Sequence, residues 1–223
     1  VPSFLPDTIN HAEHDFMKAQ SGTKALAENL RLFRGKEAWA EWLEKNYHRS
    51  EGLWLRLAKK GSRLKSISYG EALEIALCYG WIDGQKKAES DQAWLQRFLP
   101  RSGKSIWSKI NRQKAPLLIA QGRMKAAGVE AINAARKNGN WESAYDSPRR
   151  AEVPEDLQAA LDANPAAREF FLSLDRANRY AVLFRIQTAK KVATRAAKIR
   201  QFVEMLERNE RIHEPRKARL SPE

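Results

Sequence analysis

The chain has one cysteine, Cys78. It can form no internal disulfide, so a reducing compartment, and with it a cytoplasmic location, is expected. Cys78 stands between Leu77 and Tyr79 and reads as a core thiol. A nucleophilic thiolate would need a histidine or a helix N-terminus beside it, and the sequence shows neither. No apolar run approaches the ~18 residues of a membrane span. No basic stretch followed by an apolar one marks a signal peptide. Membrane insertion is therefore not expected. Histidine is scarce too: His11, His14, His48 and His213 are all there is, too few for a persuasive Ser-His-Asp arrangement. His11 and His14, flanked by Glu13 and Asp15, lack metalloprotease spacing and a third ligand. No metal and no other cofactor is expected.

Acidic residues are missing from two long intervals. From Asp91 to Glu130 there is none between, while Arg97, Arg101, Lys104, Lys109, Arg112, Lys114, Arg123 and Lys125 are present. From Asp175 to Glu204 there is again none between, with Arg176, Arg179, Arg185, Lys190, Lys191, Arg195, Lys198 and Arg200 present. These stretches carry most of a formal net charge of +13, a balance that favours polyanion partners or phosphorylated ligands. At 223 residues and 43% hydrophobic, with seven Trp and eight Phe, the chain can bury a core without staples.

Residues 1–28 are polar and read as an arm, with a short helix around His11 to Lys18. Leu30, Leu32 and Phe33 alternate loosely, as in a first strand. Trp39, Trp42 and Leu43 fall at i, i+3, i+4 and predict a helix over 36–46. Leu53–Leu57 reads as a strand. Ser68 followed by Glu71 is a capping box opening a helix that carries Leu73, Ala76 and Leu77 and ends at Gly80. Two runs, from Trp81 and from Ala93, predict a hairpin closed by Pro100. Ser102 or Ser105 can cap the next helix, which Pro116 must break or kink. A helix over 125–138 ends at Gly139, and 143–152 is a linker. Pro154 and Pro165 suit first helical positions, and Asp175 a cap. A last helix over about 189–208 carries Val192, Ala196, Ile199, Val203 and Leu206 on its apolar stripe.

This order predicts an α+β fold: a small antiparallel sheet with helices, followed by an all-helical C-terminal part. It also loosely resembles a winged helix-turn-helix, one helix short. The expected division is an arm over 1–28, an α+β domain over 29–145, a helical region over 151–210 and a flexible tail over 211–223.

Two constellations carry possible chemistry. Arg101, Lys104 and Ser105 sit where a helix N-terminus is expected, a place that favours an anion. Arg97 and Arg101 offer forked donors, Ser105, Ser108 and Asn111 follow at i, i+3 steps, and Trp94 and Trp107 could stack a base. The same residues can equally be a cap, core and a solvated face. The spacing around Gly103 is not that of a phosphate-binding P-loop. The second constellation is Trp81-Ile82-Asp83-Gly84-Gln85, where Asp83 and Glu71 could do acid/base work. Glu71 is already explained by its capping box, and Asp83 could pair with Arg97 across the hairpin. Lys190, Lys191, Arg195 and Lys198 are expected on the outward, solvated side of the last helix.

Five blocks, SYGEALEIALCYGWIDGQKK, RFLPRSGKSIWSKIN, GRMKAAGVEAINAARKNGNW, VPEDLQAALDANPAAREFF and RYAVLFRIQTAKKVATRAAKI, resemble in order those of the bacterial YdeI/OmpD-associated family, over roughly residues 30–213. Ser68, Tyr69, Glu71, Gly80, Trp81, Asp83 and Gly84 match the first block. Arg97, Phe98, Pro100, Arg101, Ser105, Trp107, Ser108 and Asn111 match the second. Leu99 stands where the family more often has Thr. The family is named for bacteriocin protection and porin association, and the resemblance implies no catalytic residues. Three readings follow. The first is a non-enzymatic cytoplasmic binding protein with a stress or bacteriocin-protection role and an anion-suited site. That site draws on Arg97, Arg101, Lys104, Ser105, Trp107, Ser108, Asn111, Asp83 and Trp81. The second is a nucleic-acid-binding protein. The third is an enzyme acting on a phosphorylated or carboxylated small molecule. A protein partner is compatible with each, and the sequence leaves the oligomeric state open.

Overall fold

The computed structural model describes residues 29–214. The arm with its His11–Lys18 helix and the His11/His14 pair, and residues 215–223 of the expected tail, lie outside the described residues. Contacts divide the chain into two units, one running through Arg101 with Met124–Glu130 added, the other comprising Ser102–Arg123 and the chain from Ala131 on. The division thus falls well before the 143–152 linker, at the end of the hairpin.

The first unit is built on a four-stranded sheet in the order β1-β2-β4-β3: β1 (Leu30–Arg31), β2 (Leu53–Ala58), β3 (Trp81–Ala88) and β4 (Ala93–Pro100). It is antiparallel except that the two-residue β1 runs parallel to β2. Helices α1 (Lys36–Asn46) and α2 (Tyr69–Cys78) belong to the same unit. Ser68 caps α2 as expected: its hydroxyl accepts the Glu71 N–H, and the Glu71 carboxylate accepts the Ser68 N–H at 3.1 Å. The buried face of α2 is Ala72, Ile75, Ala76, Leu77 and Cys78. Leu73 is only half-buried.

Aromatic side chains fill the centre of this unit. Trp39 is fully buried. Its ring stacks on Trp42 at 5.5 Å and meets Trp81 and Phe98 edge-on at 6.2 and 5.7 Å. Its indole N–H donates to the Ala72 carbonyl at 3.1 Å, so the buried polar atom is satisfied. The hairpin forms as expected, with one irregularity: β3 bulges between Asp83 and Lys86. The amide of buried Gln96 fills the bulge, donating to the Gly84 and Gln85 carbonyls at 2.9 and 3.2 Å. Gly52 (φ +118°) leads into β2, and a Cβ there would lie 2.6 Å from the Phe98 carbonyl oxygen, so glycine alone fits.

The next two helices are α3 (Lys109–Ala120) and α4 (Ala126–Lys137), the latter followed by Gly139 with φ +74°. Ser108, not Ser102 or Ser105, caps α3, accepting the Asn111 N–H at 3.2 Å. Pro116 lies inside α3 without ending it. Its missing N–H costs one ladder bond, and buried Ala115 and Leu118 on either side hold the turn in place. The remaining helices are α5 (Glu155–Asp162), α6 (Pro165–Ser173), α7 (Arg176–Gln187) and α8 (Val192–Glu207). Pro165 is the first residue of α6 as expected, whereas Pro154 is the N-cap of α5, one position early. Asp175 caps α7. Leu157, Leu161, Phe171, Val182, Ile186, Ile199, Phe202 and Leu206 form one core cluster. Val192 is 85% exposed, and Phe202 takes a place on the buried stripe of α8. The molecule is α+β, with an all-helical C-terminal part.

Candidate functional site

The residues singled out from the sequence fall in both units. In the first unit, Trp81 is 1% exposed and donates its indole N–H to the Tyr47 carbonyl at 3.2 Å. It is part of the aromatic core. Asp83 accepts the Tyr69 hydroxyl at 2.7 Å. Its register partner is Phe98, while Arg97 pairs with Trp54. Successive residues of β4 point to opposite faces, so Asp83 and Arg97 do not pair across the hairpin. Glu71 is held below the ordinary carboxylate range by the Ser68 hydroxyl, then the Ser68 N–H, then Lys36. A general base needs a pKa moved toward neutrality, and Glu71 is moved the other way.

In the second unit residues 102–107 form a turn and loop, and the helix N-terminus comes later than expected, at the Ser108 cap. The Ser105 hydroxyl accepts the Ser102 N–H at 3.0 Å, and the Ser102 hydroxyl accepts the Lys104 N–H at 3.3 Å. The side-chain amides of Asn138 and Asn140 donate to the Gly103 carbonyl at 2.7 and 3.1 Å, and Asn140 also reaches the Ser105 carbonyl at 3.2 Å. Trp107 is 1% exposed and meets Trp141 edge-on at 4.9 Å, so it presents no face to a base. Asn111 is buried. Lys104 is exposed.

The second basic stretch is largely tied to helix ends. Lys190 donates to the Asn138 carbonyl at 2.9 Å and Lys198 to the Arg185 carbonyl at 2.9 Å, while Arg185 bonds the Ala181 carbonyl inside its own helix at 2.9 Å. Arg195 forks onto both oxygens of Asp156 at 2.6 and 2.8 Å and reaches the Ile186 carbonyl at 3.0 Å. Cations satisfy C-terminal carbonyls and complement the helix dipole there. Lys190 and Lys191 are exposed, as expected, whereas Arg195 and Lys198 are only partly exposed and are tied to carbonyls rather than standing on a solvated face.

A different site emerges at the other end of α7. A cleft of about 300 Å³ is lined by Arg149, Arg176, Arg179 and Tyr180, over Leu174 and Leu183, and no carboxylate lines it. Arg176 occupies the first position of α7, whose first turn contains no acidic residue. A cation there opposes the helix dipole, so its placement needs another reason. Arg179 donates to the Leu172 and Leu174 carbonyls at 2.8 and 3.4 Å and lies 5.7 Å from the Phe171 ring. Its Nε is buried with no hydrogen-bond partner among the described residues, an arrangement that calls for explanation. The Tyr180 hydroxyl donates to the Asp146 carbonyl at 2.9 Å. Burial, then Tyr145 and Asp146, push its pKa up to about 12, so the phenol stays protonated at neutral pH. Asp146 is itself clamped by Lys109 at 2.6 Å and by Gln187, which fixes the segment leading into Arg149. The sequence signal for this cleft was the Arg176/Arg179 pair at the start of a helix. Arg149, 27 residues earlier than Arg176, carried none.

The C-terminal helical part thus carries a cleft lined by three arginines and no carboxylate. Residues 150–209 match the family described as Bacteriocin-protection, YdeI or OmpD-Associated. Residues 31–131 match a domain of unknown function, DUF8412. The resemblance read from the sequence is shown over the C-terminal segment, which contains Arg176, Arg179 and Tyr180. The two blocks containing Asp83 and Arg97–Asn111 fall under the other match. No curated protein and no solved structure matches the chain. Among the described residues no helix is long and apolar enough to cross a membrane, and no three His, Cys, Asp or Glu side chains gather as a metal site.

Proposed function

We propose that the chain is a binding protein for an anionic ligand, and that the ligand sits in the Arg149/Arg176/Arg179 cleft. The observation that carries this reading is that three arginines line one cleft with no carboxylate among its lining residues, one of them placed against its own helix dipole. Guanidinium groups bind phosphate and carboxylate through paired, charge-assisted hydrogen bonds. Catalysis is not part of the reading: Glu71 is a capping carboxylate, and Asp83 is held by Tyr69. A role in stress or bacteriocin protection and a cytoplasmic site of action complete the proposal. The matched family description supports the first, and a buried thiol in a chain with one cysteine supports the second.

The test is calorimetric titration of the full chain with inorganic pyrophosphate at fixed ionic strength. Arg149→Glu and Arg176→Glu alter exposed side chains, so their thermal transitions serve as folding controls. Each is expected to weaken binding at least about tenfold, the equivalent of one charge-assisted hydrogen bond. Binding that survives both reversals sinks the proposal.

Nucleic acid is the second reading, favoured by the +13 net charge. It predicts affinity for duplex DNA that falls with salt at a slope of about −0.9 per neutralised phosphate. Tight, salt-steep binding insensitive to Arg149→Glu and Arg176→Glu would replace the first reading with this one.

A further inference from the structure

We propose that the arginine cleft and the groove beside it form one site for a mononucleotide, with phosphate in the cleft and the base in the groove against Phe184. This rests on the anion-binding reading and names the ligand class of the same site. The two concavities adjoin: Pro148, Arg176 and Tyr180 line both. The groove encloses about 1120 Å³, and together they hold a phosphate ester carrying a ring system.

Their chemistry differs in a way that orients such a ligand. The cleft has three arginines and no carboxylate. The groove is mixed: Asp175 and Glu214 stand on its walls with Arg176 and Arg185, and Ala177, Ala181 and Phe184 supply apolar surface. Negative charge is drawn to the cleft, where no carboxylate competes, rather than to the groove, where two carboxylates offset two arginines. A flat, uncharged ring bearing N–H donors suits the groove, because carboxylates accept and the apolar wall stacks. Asp175 stays ionised, since the Asn178 N–H at 2.7 Å stabilises its carboxylate. The all-arginine lining is confined to the cleft of about 300 Å³, room for one phosphate or diphosphate group rather than a row of them, which favours a mononucleotide over a strand.

The groove is also pre-formed. Phe184 is half-buried and meets Tyr145 edge-on at 4.9 Å and Tyr180 at 5.8 Å, which fixes its ring plane. The His213 wall is pinned by a reciprocal pair: its N–H donates to the Asn178 side chain at 2.8 Å, and Asn178 donates back to the His213 carbonyl at 3.0 Å. Little ordering is left for binding to impose.

The experiment is calorimetry on the full chain with adenosine diphosphate, cytidine diphosphate, ribose 5-phosphate and inorganic pyrophosphate. The nucleoside diphosphates are expected to bind about tenfold tighter than pyrophosphate, the contribution of one base stacked on an aromatic ring. Phe184→Leu keeps the apolar bulk and removes the ring. It is expected to erase the preference while leaving pyrophosphate affinity within about twofold. Glu214→Gln, at an exposed side chain, is expected to weaken the nucleotides alone. Equal affinity for nucleotide and pyrophosphate in the unmodified chain overturns this inference and leaves the anion site standing. A preference that survives Phe184→Leu also overturns it. Binding of none of the four overturns both readings.

Discussion

Two helical glycines present opposite surroundings, and alanine at each is expected to move stability in opposite directions. A Cβ at Gly128 in α4 would overlap Met124 Sδ and the Cys78 carbonyl oxygen, and would lie 3.1 Å from the Cys78 carbonyl carbon. The sulfur is the end of a flexible chain and can move. The carbonyl cannot move alone, because it accepts the Lys125 N–H at 3.0 Å where the start of α4 meets the end of α2. Two overlaps, one of them with main chain, put the overpacking cost in the upper part of its usual range, about 2–3 kcal/mol, and alanine returns roughly 1 kcal/mol of helix propensity. Overpacking wins, so Gly128→Ala is expected to destabilise by about 1–2 kcal/mol. Gly70 in α2 is exposed and has nothing within 4 Å of its would-be Cβ. Only the propensity remains there, and Gly70→Ala is expected to stabilise by about 0.5 kcal/mol. Urea unfolding followed by tryptophan fluorescence reads both, since Trp39, Trp42, Trp54, Trp81 and Trp94 lie in this unit. With a slope near ~2 kcal/mol per molar, Gly128→Ala lowers the midpoint by about 0.5–1 M at unchanged slope. Equal midpoints for the two variants would refute the steric reasoning.

Two further expectations concern stability, beside the binding tests given above. Asn140→Ala removes the amide that donates to the Gly103 and Ser105 carbonyls, and is expected to cost about 1–3 kcal/mol. Faster amide hydrogen exchange over residues 102–107 checks it, and unchanged exchange there would count against the clamp. The Arg195 guanidinium holds the Asp156 carboxyl below its usual range. That pair therefore stabilises the fold above the ordinary aspartate pKa and ceases to do so as pH falls through the lowered value. Asp156 is 46% exposed, so the gain at pH 7 is at most about 1 kcal/mol. The melting-temperature gap between the unmodified chain and Asp156→Asn should close in acid; a gap constant from neutral pH downward contradicts the assignment.

The local signals in the chain translated well where neighbours in sequence settle the outcome. The Ser68/Glu71 box opened α2, and the hairpin between Trp81 and Pro100 formed. The misreadings have a common cause in distant partners. Ser105 looked like a cap, but its hydroxyl closes a turn on Ser102, while Asn138 and Asn140 draw the loop's carbonyls away from any helix. Asp83 and Arg97 looked like a cross-strand pair, but the register puts Phe98 opposite Asp83. Lys198 looked outward, yet it is partly buried and reaches the Arg185 carbonyl 13 residues away. The arginine cleft was invisible for the same reason. Arg149 reaches it only because Tyr180 and Gln187 fasten Asp146 to α7. What the sequence did hold was a breach of local rule, an arginine where a helix start favours an acid.

The lysines that close helix ends change how modification of this protein should be read. Acetylating Lys190 or Lys198 removes the charge from an ammonium that is holding a main-chain carbonyl. The first effect is frayed helix termini, with the surface potential changing only second. A drop in polyanion affinity after chemical acetylation would therefore report loosened scaffolding at these two positions, and separating that from lost counter-charge requires reading helix content alongside binding.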